Sequence, residues 1–150
     1  LELLVLSGLA GAFIAMGAIF STTVVAGGSE LPFGVARLLA GLVFTLGLVL
    51  VVVAGAELFT GNNLMVMAWA SRRLPTTRLL AAWGIVYVGN FAGAVATAGL
   101  LVASGQYEFG KGAVGQAALT IAATKTGLGF GQAIALGRRS SPSSGRGTRL

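Results

Sequence analysis

The sequence predicts an all-α polytopic membrane protein with three apolar spans, the second of them broken in mid-membrane. Three observations carry this. Of 150 residues, 55% are hydrophobic and only 9% charged, and the mean hydropathy is +0.89, a balance found in membrane chains rather than soluble domains. Apolar segments of spanning length alternate with short polar connections. Finally, the mostly apolar run 33–70 would measure roughly 55 Å as one straight helix at ~1.5 Å per residue, against a bilayer core of about 30 Å. That run has to tilt strongly, break, or be two pieces. Its middle reads Gly55-Ala56-Glu57-Leu58-Phe59-Thr60-Gly61-Asn62-Asn63, and two glycines, an acid, a threonine and two asparagines say where it breaks. Backbone that leaves the helix at membrane depth persists only where protein or a water-filled cavity satisfies its N–H and C=O groups. A broken helix lining a polar pathway is the expectation.

Taken in order, residues 3–26 form the first span, uncharged, with Ser7, Gly11 and Ala15 at small-xxx-small spacing for close helix packing. The stretch is too long for a signal peptide and lacks a basic leader. Residues 27–32 are a short turn. Residues 33–54 are the first half of the broken element, with Arg37 in its first turn, close enough to the interface to snorkel. Residues 64–70 are its second half. Arg72, Arg73 and Pro75 follow, with Arg78 just beyond, and an arginine cluster in a short loop marks the cytoplasmic side. The 27–32 turn is then external and the N-terminus cytoplasmic.

Residues 79–103 form the third span, with Trp83 and Tyr87 as interface anchors. Gly89 and Gly93 are spaced GxxxG, a face for tight packing on another helix, and Asn90 between them is a helix–helix hydrogen-bonding residue. Residues 104–111 are a polar external loop. The stretch 113–137 is apolar enough to be helical but is interrupted by Lys125 and then by Gly127, Gly129 and Gly131. Residues 138–150 switch to a Ser-, Gly- and Arg-rich composition that reads as disordered.

Charge and composition exclude several classes. The net charge of +6 is a property of the tail: residues 1–137 hold six Lys/Arg and four Glu, giving +2, and the last thirteen residues add four Arg and no acid. A nucleic-acid partner is not implied. Cysteine and histidine are both absent, which removes thiolate metal sites, the commonest metal ligand and the usual near-neutral proton carrier. With the few carboxylates scattered, the sequence reads as no enzyme, with no cofactor.

The run Glu57-Leu58-Phe59-Thr60-Gly61-Asn62-Asn63 resembles the motif of the formate/nitrite transporter family, pentameric membrane proteins that pass small monovalent anions. Further landmarks match in order: Leu31-Pro32-Phe33-Gly34, the pair Gly89-Asn90, Ser104-Gly105, and Lys125 with Phe130 five residues on. The resemblance covers residues 1–137, and its long acid-Leu-Phe-Thr motif is specific where glycine spacings alone would be weak. It implies an aquaporin-like bundle of two inverted three-helix repeats, each with one broken helix, in the cell (inner or plasma) membrane. It also implies a homo-oligomer, a pentamer, with formate, nitrite or a similar small anion as its partner besides the lipid bilayer.

The same resemblance assigns roles. Glu57 would hold the loop's freed backbone N–H groups; the bland alternative is a cytoplasm-facing loop carboxylate. Thr60 would meet the anion through its hydroxyl, against the common case of a threonine bonded to its own backbone. Gly61, Asn62 and Asn63 would shape the loop. Phe44 and Leu48, four apart on one helical face, would narrow the pathway as an apolar gate, although that spacing more often marks a lipid- or core-facing pair. Lys125 would act as an electrostatic lure, or snorkel to the outer interface.

The family's fourth span would start near Lys125 and run well past Gly137, whereas only about a dozen residues remain before the tail, against the ~20 needed to cross. The sequence thus holds a first repeat and the opening of a second, lacking the second broken helix and its pore histidine. The tail reads as an out-of-frame end or a truncated gene. Two alternatives stay open: a half-transporter completed by a partner chain, and a non-transporting membrane interaction protein assembled through its glycine faces.

Overall fold

The computed structural model describes residues 1–28, 31–127, 129 and 132. It divides into two compact units, Leu1–Ala117 and Ala118–Leu150. The described elements are all helical: α1 (Glu2–Gly27), α2 (Phe33–Val53), the short α3 (Phe59–Asn62) and α4 (Met65–Ala70), α5 (Thr76–Ala103), a 3-10 turn at Gln106–Glu108, and α6 (Ala113–Thr126).

Helices α1, α2 and α5 are each long and apolar enough to cross a membrane. Their outward surfaces fit that solvent. Leu42, Val52, Val53 and Leu100 are each more than half exposed, and a soluble monomer does not carry apolar surface on that scale. The three spans lie where hydropathy puts them. Their ends are set by local chemistry. Pro32 and Pro75 stand immediately before α2 and α5, where a missing N–H costs nothing and a fixed φ is already suited to helix entry. For this reason α5 begins at Thr76, three residues before the start expected from hydropathy; the N–H groups of Arg78 and Leu79 close its first turn on the Pro75 carbonyl at 3.1 and 3.3 Å. Arg37, in the first turn of α2, lies with its guanidinium 5.2 Å from the centre of the Phe33 ring.

The break is built from a helix stop and a restart. Gly55 adopts φ +61°, and α2 ends in a Schellman motif, with Gly55 N–H donating to Val52 O at 3.2 Å and Ala56 N–H to Val51 O at 2.9 Å. Glycine occupies that left-handed position without a Cβ penalty. The chain is extended at Leu58 (φ −94°, ψ 136°) and re-enters helix at Phe59. The second half, expected as one piece over 64–70, is therefore two short helices, α3 and α4, joined by a turn at Asn63–Leu64. Helix α4 stops by the same device as α2, with Arg72 N–H on Trp69 O and Arg73 N–H on Ala68 O, both 2.9 Å. Here the left-handed residue is Arg72, at φ 55°.

In the first unit α1 packs against both α2 and α5. Small residues make both approaches close. On the α5 side, a Cβ added to Gly11 would overlap the Asn90 carbonyl, one on Gly89 would overlap the Ser7 hydroxyl, and one on Gly93 would overlap the Gly8 carbonyl. On the α2 side, a Cβ on Gly47 would lie 2.6 Å from the Phe13 carbonyl oxygen, and one on Gly17 2.9 Å from that of Phe44. Helices in lipid gain nothing from excluding apolar surface from water, so backbone approach and packing hold them together.

The described residues of the second unit are the C-terminal portion of α6 with Gly127, Gly129 and Gln132. Lys125 sits in the last turn of this helix, and Gly127 N–H closes it on Ala123 O at 2.9 Å. Helix α6 ends at Thr126; the span that the resemblance starts near Lys125 would run through residues that lie mostly outside the described ones. Gly127 directly follows the last residue of α6, and glycine carries the largest entropic cost within a helix. The 138–150 tail lies outside the described residues.

Candidate functional site

Where α2 stops and α3 begins, the backbone between Ala56 and Phe59 lacks helical partners and must find others. Helices α1 and α5 supply them. Glu57 N–H donates to Leu6 O of α1 at 3.3 Å. On α5, the Asn90 amide takes two more: its Nδ2 donates to Glu57 O at 2.9 Å and its Oδ1 accepts from Phe59 N–H at 2.9 Å. A second bond from Nδ2 reaches Ser7 O of α1 at 2.8 Å. One side chain thus joins α1, α5 and both sides of Leu58.

Side chains lock the restart. Asn62 is buried; its Nδ2 donates to Glu57 Oε2 at 2.8 Å and to Leu58 O at 3.2 Å, and its backbone carbonyl accepts from Trp83 Nε1 at 3.1 Å. The Phe59 ring meets Trp83 and Tyr87 edge-on, with ring centres 6.1 and 5.7 Å away. Trp83, Tyr87 and Asn90 succeed one another at spacings of four and three, one face of a helix. That face of α5 grips residues 57–62.

Glu57 is half-buried, and its carboxylate receives the Asn62 side chain, while the freed backbone N–H of Phe59 goes to Asn90. Asn63 and Gly61 are exposed. Thr60 is exposed too, and differs from six threonines that lie within helices. Thr22, Thr23, Thr45, Thr97, Thr124 and Thr126 each donate to a carbonyl three or four residues back in their own helix. Thr60 is the second residue of α3, so the residues three and four before it, Glu57 and Ala56, belong to the non-helical connection. Among the described residues none takes up its hydroxyl.

Thr60 opens on a recess of about 390 Å³ shared with Leu48, Val52, Glu57, Leu58 and Gly61. Leu48 is 39% exposed there. Phe44, one turn earlier on α2, is half-buried beside the α1 contact and does not line the recess. Lys125 belongs to the second unit. Among the described residues no group of acids could hold a metal ion. Sequence reasoning reads Trp83 and Tyr87 as interface anchors and so misses them as loop partners. It also misses Phe59 as the residue they grip. Their helical spacing to Asn90 is the signal that could have found them.

The model of the family described as formate/nitrite transporter matches residues 1–138. The chain belongs to the formate/nitrite transporter family. It is 42% identical over 115 residues to the formate channel FocA of Haemophilus influenzae, covering 77% of this chain and 39% of that protein. To FocA of Escherichia coli K12 it is 41% identical over 128 residues, covering 85% and 45%. To a probable formate transporter of Methanothermobacter thermautotrophicus it is 40% identical over 141 residues, covering 91% and 50%. Among solved structures, a pentameric formate channel with formate bound superposes with a TM-score of 0.79 at 33% identity, over 91% of this chain and 53% of that one. The fold is therefore the aquaporin-like helical fold of formate/nitrite transporters, and the chain spans about half the length, or less, of these relatives. The family is one of channels and transporters, not of enzymes, and its apolar helices make this a membrane protein.

Proposed function

We propose that this chain carries half of a transmembrane pathway for small monovalent anions, formate first and nitrite next. The observation that supports it best is the Thr60 hydroxyl, held at a helix break with no intramolecular acceptor among the described residues and facing a recess beside Leu48. A hydroxyl donates readily to a carboxylate or nitrite oxygen. Leu48, with Phe44 one turn away, supplies an apolar slot that excludes water around the ion. Lys125 supplies positive charge that draws anions toward the protein. Glu57, Asn62 and Asn63 act on the loop and not on the ion. No covalent step is involved.

In this reading Arg72, Arg73 and Arg78 mark the cytoplasmic side, the N-terminus is cytoplasmic, and the protein works as a homo-oligomer, a pentamer as in the formate-bound channel it resembles. Because the chain spans about half or less of its relatives, the remainder of the pathway is assigned to sequence outside these residues, in the same polypeptide or a partner chain.

The test is formate and nitrite uptake into proteoliposomes that hold the chain alone, or together with the unmatched second half of the Escherichia coli FocA. Uptake above protein-free vesicles in either preparation, abolished by Thr60→Ala and lowered by Lys125→Ala, is the expected result. No uptake in either preparation, with insertion confirmed, would overturn the reading.

A further inference from the structure

We infer that Asn90 is a positioning residue for Thr60: its side-chain amide holds the broken loop in the register that aims the Thr60 hydroxyl into the recess. Its consequence for transport rests on the reading of Thr60 as an anion contact; its structural content does not.

Asn90 spends both edges of its amide on backbone. The oxygen takes the N–H of Phe59, the residue immediately before Thr60, and the nitrogen donates to Glu57 O and Ser7 O. The two loop bonds flank Leu58, the extended residue at which the chain turns from α2 into α3. Rotation at Leu58 is what would move Thr60, and a two-point clamp across that residue opposes it. The base of the clamp is stiff: a Cβ on Gly11 would overlap the Asn90 backbone carbonyl, so α5 is pressed on α1 at this residue. A carboxamide is the side chain that fits, since the site needs one acceptor and two donors on a single planar group. Aspartate keeps the acceptor for Phe59 N–H and turns its other oxygen toward two carbonyls. Alanine leaves Phe59 N–H, Glu57 O and Ser7 O without their partner.

A cysteine-free chain allows a direct test. Thr60→Cys introduces a single thiol, whose rate of modification by a small anionic methanethiosulfonate reports its presentation to the recess. Ser104→Cys, at the other end of α5, serves as the control in a separate chain. Adding Asn90→Ala is expected to change the labelling rate of the Thr60→Cys chain by about tenfold, as the loss of clamping hydrogen bonds shifts the loop equilibrium. The same addition should leave the rate of the Ser104→Cys control unchanged. Asn90→Asp, retaining the Phe59 acceptor, is expected to fall between. An unchanged rate at the thiol in position 60 would overturn the inference, and so would an equal change in both chains, which is the mark of general loosening. In uptake assays Asn90→Ala should lower the preference for formate over acetate; failure of the wild-type protein to transport at all would count against the pathway reading, with the labelling rates still deciding the role of Asn90.

Discussion

Phe59 and Asn90, thirty-one positions apart, are joined at 2.9 Å by a bond from the Phe59 backbone N–H to the Asn90 side-chain oxygen. The pair explains how a helix can be interrupted at membrane depth. The interruption frees backbone groups that lipid cannot satisfy, and one carbonyl of α1 and one amide of α5 take up Glu57 N–H, Glu57 C=O and Phe59 N–H. The segment restarts as helix under an aromatic grip from Trp83 and Tyr87.

Glu57 is expected to matter for the geometry of the restart. Glu57→Gln keeps an acceptor for Asn62 Nδ2 but replaces a charge-assisted bond by a neutral one, a loss of about 1 kcal/mol. Glu57→Ala leaves the Asn62 amide short of a partner in a buried position and costs about 1–3 kcal/mol. Detergent-titrated unfolding followed by circular dichroism should rank wild type above Gln above Ala. Equal stability of all three would show that the Glu57–Asn62 bond does not brace the loop.

Close packing of α1 on α5 gives a contrast between two glycines. Gly11→Ala forces a methyl into the Asn90 carbonyl and should destabilise by about 1–3 kcal/mol through overpacking. Gly41→Ala, on α2, meets nothing within 4 Å and should stabilise by about 0.5–1 kcal/mol, the ordinary gain from replacing a helix glycine. Opposite signs in the same unfolding assay are the expected outcome.

The two Schellman stops make a further pair. Gly55→Ala places a Cβ at φ +61° and should cost about 1 kcal/mol. Arg72→Gly relieves the same conformation at φ 55° and should recover about that much. Thermal melts in detergent read both; a neutral Gly55→Ala would mean the break does not depend on a left-handed residue.

Much of this was legible in the sequence, because apolar length and interruption are local properties. The spans 3–26, 33–54 and 79–103 follow from hydropathy, and Gly55 through Asn63 locate the break by composition alone. Helix ends were less legible: Pro75 moved the start of α5 to Thr76, and the turn at Asn63–Leu64 divided the second half into α3 and α4. The partners of the break were not legible. Trp83 looks like an interface anchor until Phe59 and the Asn62 carbonyl are brought to it from more than twenty positions away. A lone Asn90 in an apolar helix reads as a generic interhelical bond, and only the fold shows that its bonds flank Leu58. The second face of α1, at Gly17 against Gly47, has no counterpart in the Ser7–Gly11–Ala15 spacing because it points to a different neighbour. The span expected from near Lys125 runs through residues that lie mostly outside the described ones.

The most direct test of the central claim, that the break presents the Thr60 hydroxyl to a passing anion, is formate uptake by Thr60→Ser and Thr60→Val variants beside wild type in the preparation that transports. Valine keeps the shape and removes the hydroxyl, whereas serine keeps the hydroxyl. The account expects serine to stay near wild type and valine to fall about tenfold or more, the worth of one hydrogen bond to a charged group. Uptake by Thr60→Val equal to wild type, at matched insertion, would contradict it.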